Sequence, residues 1–277
     1  MKKIVTHINP DLDAVAAVWL LKRFLLGWQE AEVGFVRADD KQIDKDNNDL
    51  LYVDVGLGKL DHHLTNQYLS AAKLCWDYIK EIRKGESINE LDGQAIERTV
   101  EVVTEIDNAC DLSWPEARND RFQFYLHNLV EGWRELPLND VEVVEEGFKM
   151  LDTFLLNLKN KIRAEEELLT KAKTFKTKWG KGIGLETGNK HFLFFAESQG
   201  YQVVFIKNPK SGGVKIYARP DSKVDLTKAY QKVKKLDSQS DWFLHSSKKL
   251  LLNQASVAQM RPTKLNMKEI MEILQDE

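Results

Sequence analysis

Apolar positions in the first half of the chain fall into two kinds of run. Residues 3–8, 31–36 and 50–55 are short, nearly continuous apolar stretches, the form taken by strands buried in a parallel sheet. Residues 14–26 are apolar on most sides of a 3.6-residue period and end at Gly27, which predicts a deeply buried helix. Further helices are predicted over 71–83, 94–106 and 122–133. Strands alternating with helices in this way predict an α/β lobe with a doubly wound parallel sheet, a fold that binds ligands at the carboxyl ends of its strands.

From 141 to about 178 the pattern is helical and highly charged, with no proline and a single glycine, Gly147. A long helical connector is predicted there. After Gly180 the runs shorten to IGLET, HFLFFAE, YQVVFI and GVKIYARP, read as strands separated by Gly, Asn and Pro turns. Helices over 226–236 and 267–274, the second capped by Asn266, complete a smaller α+β lobe. The expected organisation is a first domain over 1–138, a connector over 139–179 and a second domain over 180–277. The aromatic residues Phe192, Phe194, Phe195 and Tyr201 could stack on bases, but a run such as HFLFF is expected to be sheet core.

Charge sharpens this division. The chain of 277 residues has a net charge of −3, yet residues 1–170 hold 20 Lys and Arg against 33 Asp and Glu, while 171–277 hold 20 against 10. An acidic half that could concentrate cations precedes a basic half that could hold an anion, although solvated helix faces would produce the same counts. Cys75 and Cys110 are too few for a disulfide framework and lack zinc-site spacing, so buried free thiols are expected. No apolar run approaches the roughly 18 residues needed to span a bilayer, and a cytoplasmic protein is expected.

The chemistry concentrates where predicted strands end. The stretch from His7 to Ala14, reading His-Ile-Asn-Pro-Asp-Leu-Asp-Ala, places His7, Asp11 and Asp13 between a strand and a helix. LLYVDVG ends an apolar strand on Asp54 with no basic residue nearby, a costly position unless the carboxylate meets a cation or several donors. LDHH follows with Asp61, His62 and His63, and Asp107 closes an apolar helix in VVTEIDNAC. Each element alone has a plainer reading, a structural histidine or a helix-capping Asp. Their combination favours metal ligation by mixed carboxylate and imidazole groups.

HINPDLDA, YVDVG, LDHH and EIDNA resemble, in order, the four signature motifs of the DHH phosphoesterase superfamily, named for its Asp-His-His triplet. That superfamily includes RecJ-type exonucleases, oligoribonucleases, cyclic dinucleotide phosphodiesterases and family II inorganic pyrophosphatases. DVGLGKLDHH and EIDNA look closest to its melanocyte proliferating gene branch of RNA exonucleases. The resemblance implies two divalent ions, Mn(II) by preference with Mg(II) as the alternative, about 3.5–4 Å apart. His7 and Asp11 would hold one ion, Asp13, His62 and Asp107 the other, and Asp54 would bridge both. His63 would contact the scissile phosphate or assist the leaving group, and Asp61 would orient a neighbouring histidine.

For the second domain, the resemblance directs attention to segments that could bind the substrate's far end. Gly212 and Gly213 in PKSGGV could bring backbone amides to a phosphate, or form an ordinary hairpin turn. The segment HSSKK supplies His245, Ser246, Lys248 and Lys249, and Arg219 and Arg261 are the arginines placed to fork onto a phosphate. The implied activity is a metal-dependent phosphodiesterase acting on RNA, short oligonucleotides or a related nucleotide. A manganese-dependent pyrophosphatase and a non-catalytic nucleotide- or metal-binding regulator are the alternatives. Single-stranded nucleic acid or a small nucleotide would be the partner, without a membrane; a homodimer is compatible with the sequence.

Overall fold

The computed structural model describes residues 1–40, 48–83, 88–253 and 260–275. The chain divides into two compact units, Met1–Lys159 and Asn160–Glu277. Among the described residues no helix is long and apolar enough to cross a membrane.

The first unit is built on a small parallel sheet. Strand β1 (Lys3–His7) lies between β2 (Glu32–Val36) and β3 (Leu50–Tyr52), parallel to both. Helix α1 (Leu12–Phe24) joins β1 to β2, and every residue from Leu12 to Leu21 is buried, as its all-round apolarity requires. The predicted strand over 50–55 is shorter than expected. Val53 still donates to the Val5 carbonyl, but Asp54 turns into the left-handed region with φ +57° and ends the extended run. Helices α2 (Ala71–Ile82) and α3 (Glu90–Asp107) pack on α1, the latter reaching back further than the apolar period predicts because Asn89 caps it. The helix expected over 122–133 is instead a 3-10 turn (Asp120–Phe124) followed by α4 (Leu126–Arg134), with extended Tyr125 separating them.

Helix α5 (Asp140–Thr170) starts with a reciprocal cap, Glu142 N donating to Asn139 Oδ1 and Asn139 N to Glu142 Oε2. Its first part steadies α1. Asp152 accepts from Trp19 Nε1 at 2.8 Å and from Arg23, and Asp140 accepts from the backbone of Asn9. Gly147 lets the helices approach, since a Cβ there would lie 2.4 Å from Cγ1 of buried Val15.

Among the described residues the second unit holds a six-stranded mixed sheet. Strands β4 (Lys173–Thr177), β5 (Gly180–Glu186), β6 (Val203–Lys207), β7 (Val214–Ala218), β8 (Phe243–Leu244) and β9 (Leu250–Asn253) lie in the order β4-β5-β6-β7-β9-β8, with only β5 and β6 parallel. That parallel pair explains why HFLFFAE is not a strand. Two adjacent parallel strands need a crossover, and residues His191–Ser198 form it as helix α6. Phe192, Leu193 and Ala196 are buried at helical spacing while Phe194 is 65% exposed. The charged pattern expected to stay helical to 178 turns into the β4–β5 hairpin after Thr170, with Gly180 at φ +128°.

Alternate residues of β6 enter two cores. Val203 and Phe205 meet helices α7 (Thr227–Leu236) and α8 (Met267–Gln275), whereas Val204 and Ile206 meet α6 and Ala164 of α5. Asn266 caps α8 as expected, accepting from Glu269 N at 3.0 Å.

The close approach at Gly147 yields a stability prediction. Gly147→Val adds a branched side chain against an already filled site, an overpacking effect of about 2 kcal/mol. Thermal unfolding should show the apparent Tm lowered by about 4–8 °C; an unchanged Tm would mean that α5 does not sit against Val15.

Candidate metal centre

Three connections converge at the carboxyl ends of β1 and β3. His7 is the last residue of β1, and the short link to α1 passes through Asn9 at φ +56°. The ring of His7 is fixed by its Nδ1, which donates to the Ile8 carbonyl at 3.0 Å. Its Nε2 therefore faces the cluster, 3.3 Å from Asp54 Oδ2 and 4.0 Å from Asp11 Oδ1. Asp11 also caps α1, with Oδ1 accepting from Ala14 N. The capping and clustering readings of this residue thus hold together.

Asp13, in the first turn of α1, is buried and accepts from Ala71 N at 2.6 Å and Ala72 N at 2.8 Å. These amides open α2, where unpaired N–H groups favour an anion. Asp107, the last residue of α3, is held by the bonds of its neighbour Asn108, whose side-chain amide donates to the carbonyls of Leu69 and Thr104.

The loop from Asp54 to His63 closes tightly. Asp54 N donates to the Leu60 carbonyl and Asp61 N to that of Gly58. The buried Asp61 carboxylate then accepts three N–H groups, Leu57 N at 2.7 Å, His63 N at 3.0 Å and His63 Nδ1 at 2.6 Å. Such a lock holds two left-handed residues, Asp54 and Leu57 at φ +57° and +59°, in a conformation that non-glycine residues seldom adopt. Its effect is to set His62 and His63 beside Asp54. His62 Nε2 lies 3.4 Å from Asp54 Oδ1, 3.5 Å from Asp107 Oδ2 and 3.7 Å from Asp13 Oδ2.

All six proposed ligands and His63 therefore meet at one place. Their donor atoms form three groups, each spanning no more than 4.8 Å: His7, Asp11 and Asp54; Asp13, His62 and Asp107; Asp54, His62 and His63. Asp54 joins the first group to the third, and its Oδ1 also approaches His62 of the second. His63 differs from the rest, since its Nδ1 is engaged as a donor to Asp61 and its side chain is 57% exposed.

The electrostatics show what this cluster lacks. Asp54 Oδ1 and Asp107 Oδ2 are buried without a hydrogen-bond partner among the described residues, although buried carboxylate oxygens ordinarily have donors. Burial, reinforced by Asp54 and Asp107, pushes Asp13 well above the usual carboxylate range. Burial and the neighbouring negative charge of Asp54 and Asp11 raise Asp107 to about 6 against the pull of His62. Burial likewise raises Asp11, with Asp54 adding to it. Burial also opposes ionisation of Asp54, but the attraction of His62 and His7 outweighs it and lowers its pKa. Asp54 raises His62 to about 9, and at His7 burial is overcome by Asp54, Ile8 and Asp11, again giving about 9. Crowded carboxylates, two imidazoles facing them and orphaned oxygens fit a site for divalent cations, which accept this donor set once the imidazoles are deprotonated and relieve its repulsion.

The residues expected to bind substrate are placed differently. Gly212 is at φ +69° and donates to the Asn208 carbonyl, while Gly213 N lies 3.3 Å from Ser211 Oγ, so both amides serve the β6–β7 turn. Arg219 forks onto Asp221 and Arg261 onto Asp241, and Lys248 pairs with Asp225 at 3.3 Å. Lys249 donates to the carbonyls of Ser222 and Val224. His245 Nδ1 pairs with Ser247 Oγ in the β8–β9 turn, next to Ser246. The cations and the glycine amides thus have local partners.

Sequence reasoning missed a second acidic and histidine pair. Asp111 and His127 lie 3.4 Å apart, and both line a 280 Å³ cavity with Asp11, Asp13 and Asp107. Burial lowers the pKa of His127. The pair is far apart in sequence, and the irregular segment between its members leaves no periodic signal.

No family model matches the chain, and no curated protein matches it. Among solved structures, an uncharacterized protein from Helicobacter pylori G27 aligns over 100% of both chains at 12% identity and a TM-score of 0.27. RecJ from Thermus thermophilus, in complex with Mg2+, aligns over 99% of this chain and 49% of its own at 11% identity and a TM-score of 0.33. The DHH domain of a member of a family of ribosomal proteins aligns over 99% of this chain and 86% of its own, at 9% identity and a TM-score of 0.35. These superpositions are loose, and the chemistry of the site rests on the side chains of this chain.

Two outcomes follow from the geometry. Metal ligands must shed their protons, so raised histidines make binding pH-dependent. Calorimetric titration with Mn2+ should show apparent affinity rising from about pH 7 to about 9, with proton release on binding; a flat profile would mean the histidines are already neutral at neutral pH. For the metal-free fold the sign is opposite. An imidazole raised from 6.5 to about 9 contributes stability that is complete below pH 6.5 and is lost as pH rises through about 9.

Asp54→Asn preserves shape, and Asn tolerates the left-handed backbone, but the negative charge common to two of the ligand groups is gone. Elemental analysis should find the bound metal lost while far-UV circular dichroism is unchanged. Full metal content in this variant would remove Asp54 from the centre.

Proposed function

We propose that the chain is a metal-dependent phosphoesterase that cleaves phosphodiester bonds in RNA, short oligonucleotides or a related nucleotide. The observation that carries this reading is the position of Asp54 between two ligand groups, beside His7 and Asp11 on one side and beside His62, which gathers Asp13 and Asp107, on the other. Such a donor set accommodates a pair of divalent ions, Mn(II) or Mg(II), and suits neither a thiolate metal nor a structural zinc. When bound, the ions would polarise a phosphoryl oxygen and ease deprotonation of the attacking water.

The remaining residues act through their own geometry. The ring of His7 is held in one orientation by Ile8, which keeps Nε2 aimed at the centre without a search over ring positions. Asp13 is anchored by two amides of α2, so its position is fixed before any ligand arrives. His63, with Nδ1 donating to Asp61, has its other ring nitrogen for a substrate phosphate or leaving-group oxygen. Asp61 is a positioning residue, acting on the substrate only through His63 and the loop.

A pyrophosphatase reading asks for unengaged cations that could clamp a compact, highly charged substrate. The cations singled out in the second unit, Arg219, Lys248, Lys249 and Arg261, are each bonded to a neighbouring carboxylate or carbonyl. Either substrate would have to draw these cations from their partners, and the hydrolysis screen separates the two readings.

A hydrolysis screen with added Mn2+ over pyrophosphate, cyclic dinucleotides, linear dinucleotides and end-labelled RNA tests the proposal. Products from a phosphodiester, abolished by chelation, are expected; cleavage of pyrophosphate alone, or of nothing, would overturn it. His63→Ala should lower turnover by about 10²–10⁴-fold with metal content retained. Loss of an ion on this substitution would instead make His63 a ligand.

A further inference from the structure

A larger cavity adjoins the metal centre within the first unit. Its volume is 590 Å³, and it shares Leu12, Val103, Ile106 and His127 with the 280 Å³ cavity into which Asp11, Asp13 and Asp107 open. The two spaces thus have a common wall. Leu12 sits between two of the proposed ligands in sequence, and Ile106 directly precedes a third. Whatever occupies the larger cavity lies beside the metal centre.

The lining narrows the chemistry of the occupant. Trp114, Phe124 and Tyr125 contribute aromatic surface, and Met150 and Phe154 extend it. Trp114 and Tyr125 belong to an edge-to-face cluster with Phe122 and His127, their centroids 5.0–6.5 Å apart, which holds the rings in fixed orientations. Phe124 is 81% exposed, an unusual position for a phenyl ring at the edge of an apolar cavity. Polar groups interrupt the apolar wall at Glu116, Asn157 and His127. His127 Nδ1 is buried and has no hydrogen-bond partner among the described residues. An alkyl chain would leave these groups unanswered, whereas a flat heterocycle offers faces to the rings and donors or acceptors to the edges.

We infer that this cavity receives a nucleobase attached to the phosphate at the metal centre, so that base recognition belongs to the first unit. The inference rests on the phosphoesterase reading and narrows it to substrates with a base next to the reacting phosphate. It also gives Phe124 a role as the stacking rim of the cavity, separate from the metal ligands.

The test is calorimetric titration of the full chain, loaded with Mn2+, using adenosine 5′-monophosphate and ribose 5-phosphate as probes. The nucleotide is expected to bind about ten-fold or more tightly than the sugar phosphate. Phe124→Ala, at an exposed position that leaves the fold undisturbed, should reduce that advantage with ribose 5-phosphate affinity unchanged. Thr153→Trp, on the exposed part of α5 lining the cavity, should obstruct it with the same result. Equal, metal-dependent binding of both probes, unaltered by either variant, would overturn the base pocket and leave the phosphoesterase reading intact. Failure of both probes to bind would overturn the two together.

Discussion

Crowding of four carboxylates around one buried turn is the constraint from which the rest of the first unit follows. Asp11, Asp13, Asp54 and Asp107 come from three separate segments, and their mutual repulsion and burial raise three of them above the usual range. Asp54 alone is lowered, because His7 and His62 stand against it. If stability alone were served, apolar groups would stand here, since buried charge is poor material for stability. Cations held in common by these donors would account for the cluster.

Holding such groups together requires rigidity elsewhere. The buried helix α1 and its cap carry two of the carboxylates, and α5 steadies that segment through Asp152, Asp140 and the close contact at Gly147. The amides at the start of α2 fix Asp13, and Asp61 fixes the loop that carries Asp54, His62 and His63. Left-handed residues at Asn9, Asp54 and Ala109 mark three places beside ligands where the chain turns sharply. Backbone strain and buried charge coincide, as they do where geometry serves a ligand.

Much of this was legible in the sequence, for identifiable reasons. The ligands sit in short motifs at the ends of apolar runs, so the strand and helix periodicities that predict β1, α1 and α3 also predict where their terminal side chains converge. The supporting role of Asp61 is implied only by the resemblance of LDHH to a family motif; its three-donor lock is not legible at all, since it depends on how the loop folds. HFLFFAE reads as a strand because a short apolar run has no period of its own, and only the parallel β5–β6 pairing demands a helix there. The local partners of the second unit's cations are not legible in the sequence, because the pairing of Arg219 with Asp221, Lys248 with Asp225 and Arg261 with Asp241, and of Lys249 with two carbonyls, depends on how the turns fold. The cavity beside the metal centre was invisible for a similar reason: its aromatic wall comes from an irregular segment whose rings are brought together by tertiary packing.

The central claim is that one carboxylate, Asp54, is shared by two metal ions. Crystals of the chain grown with Mn2+ and measured at the manganese absorption edge address it most directly. Two anomalous peaks are expected, both in contact with Asp54, one also with His7 and Asp11 and the other with Asp13, His62 and Asp107. A single peak, or peaks that leave Asp54 without a metal neighbour, would contradict the account.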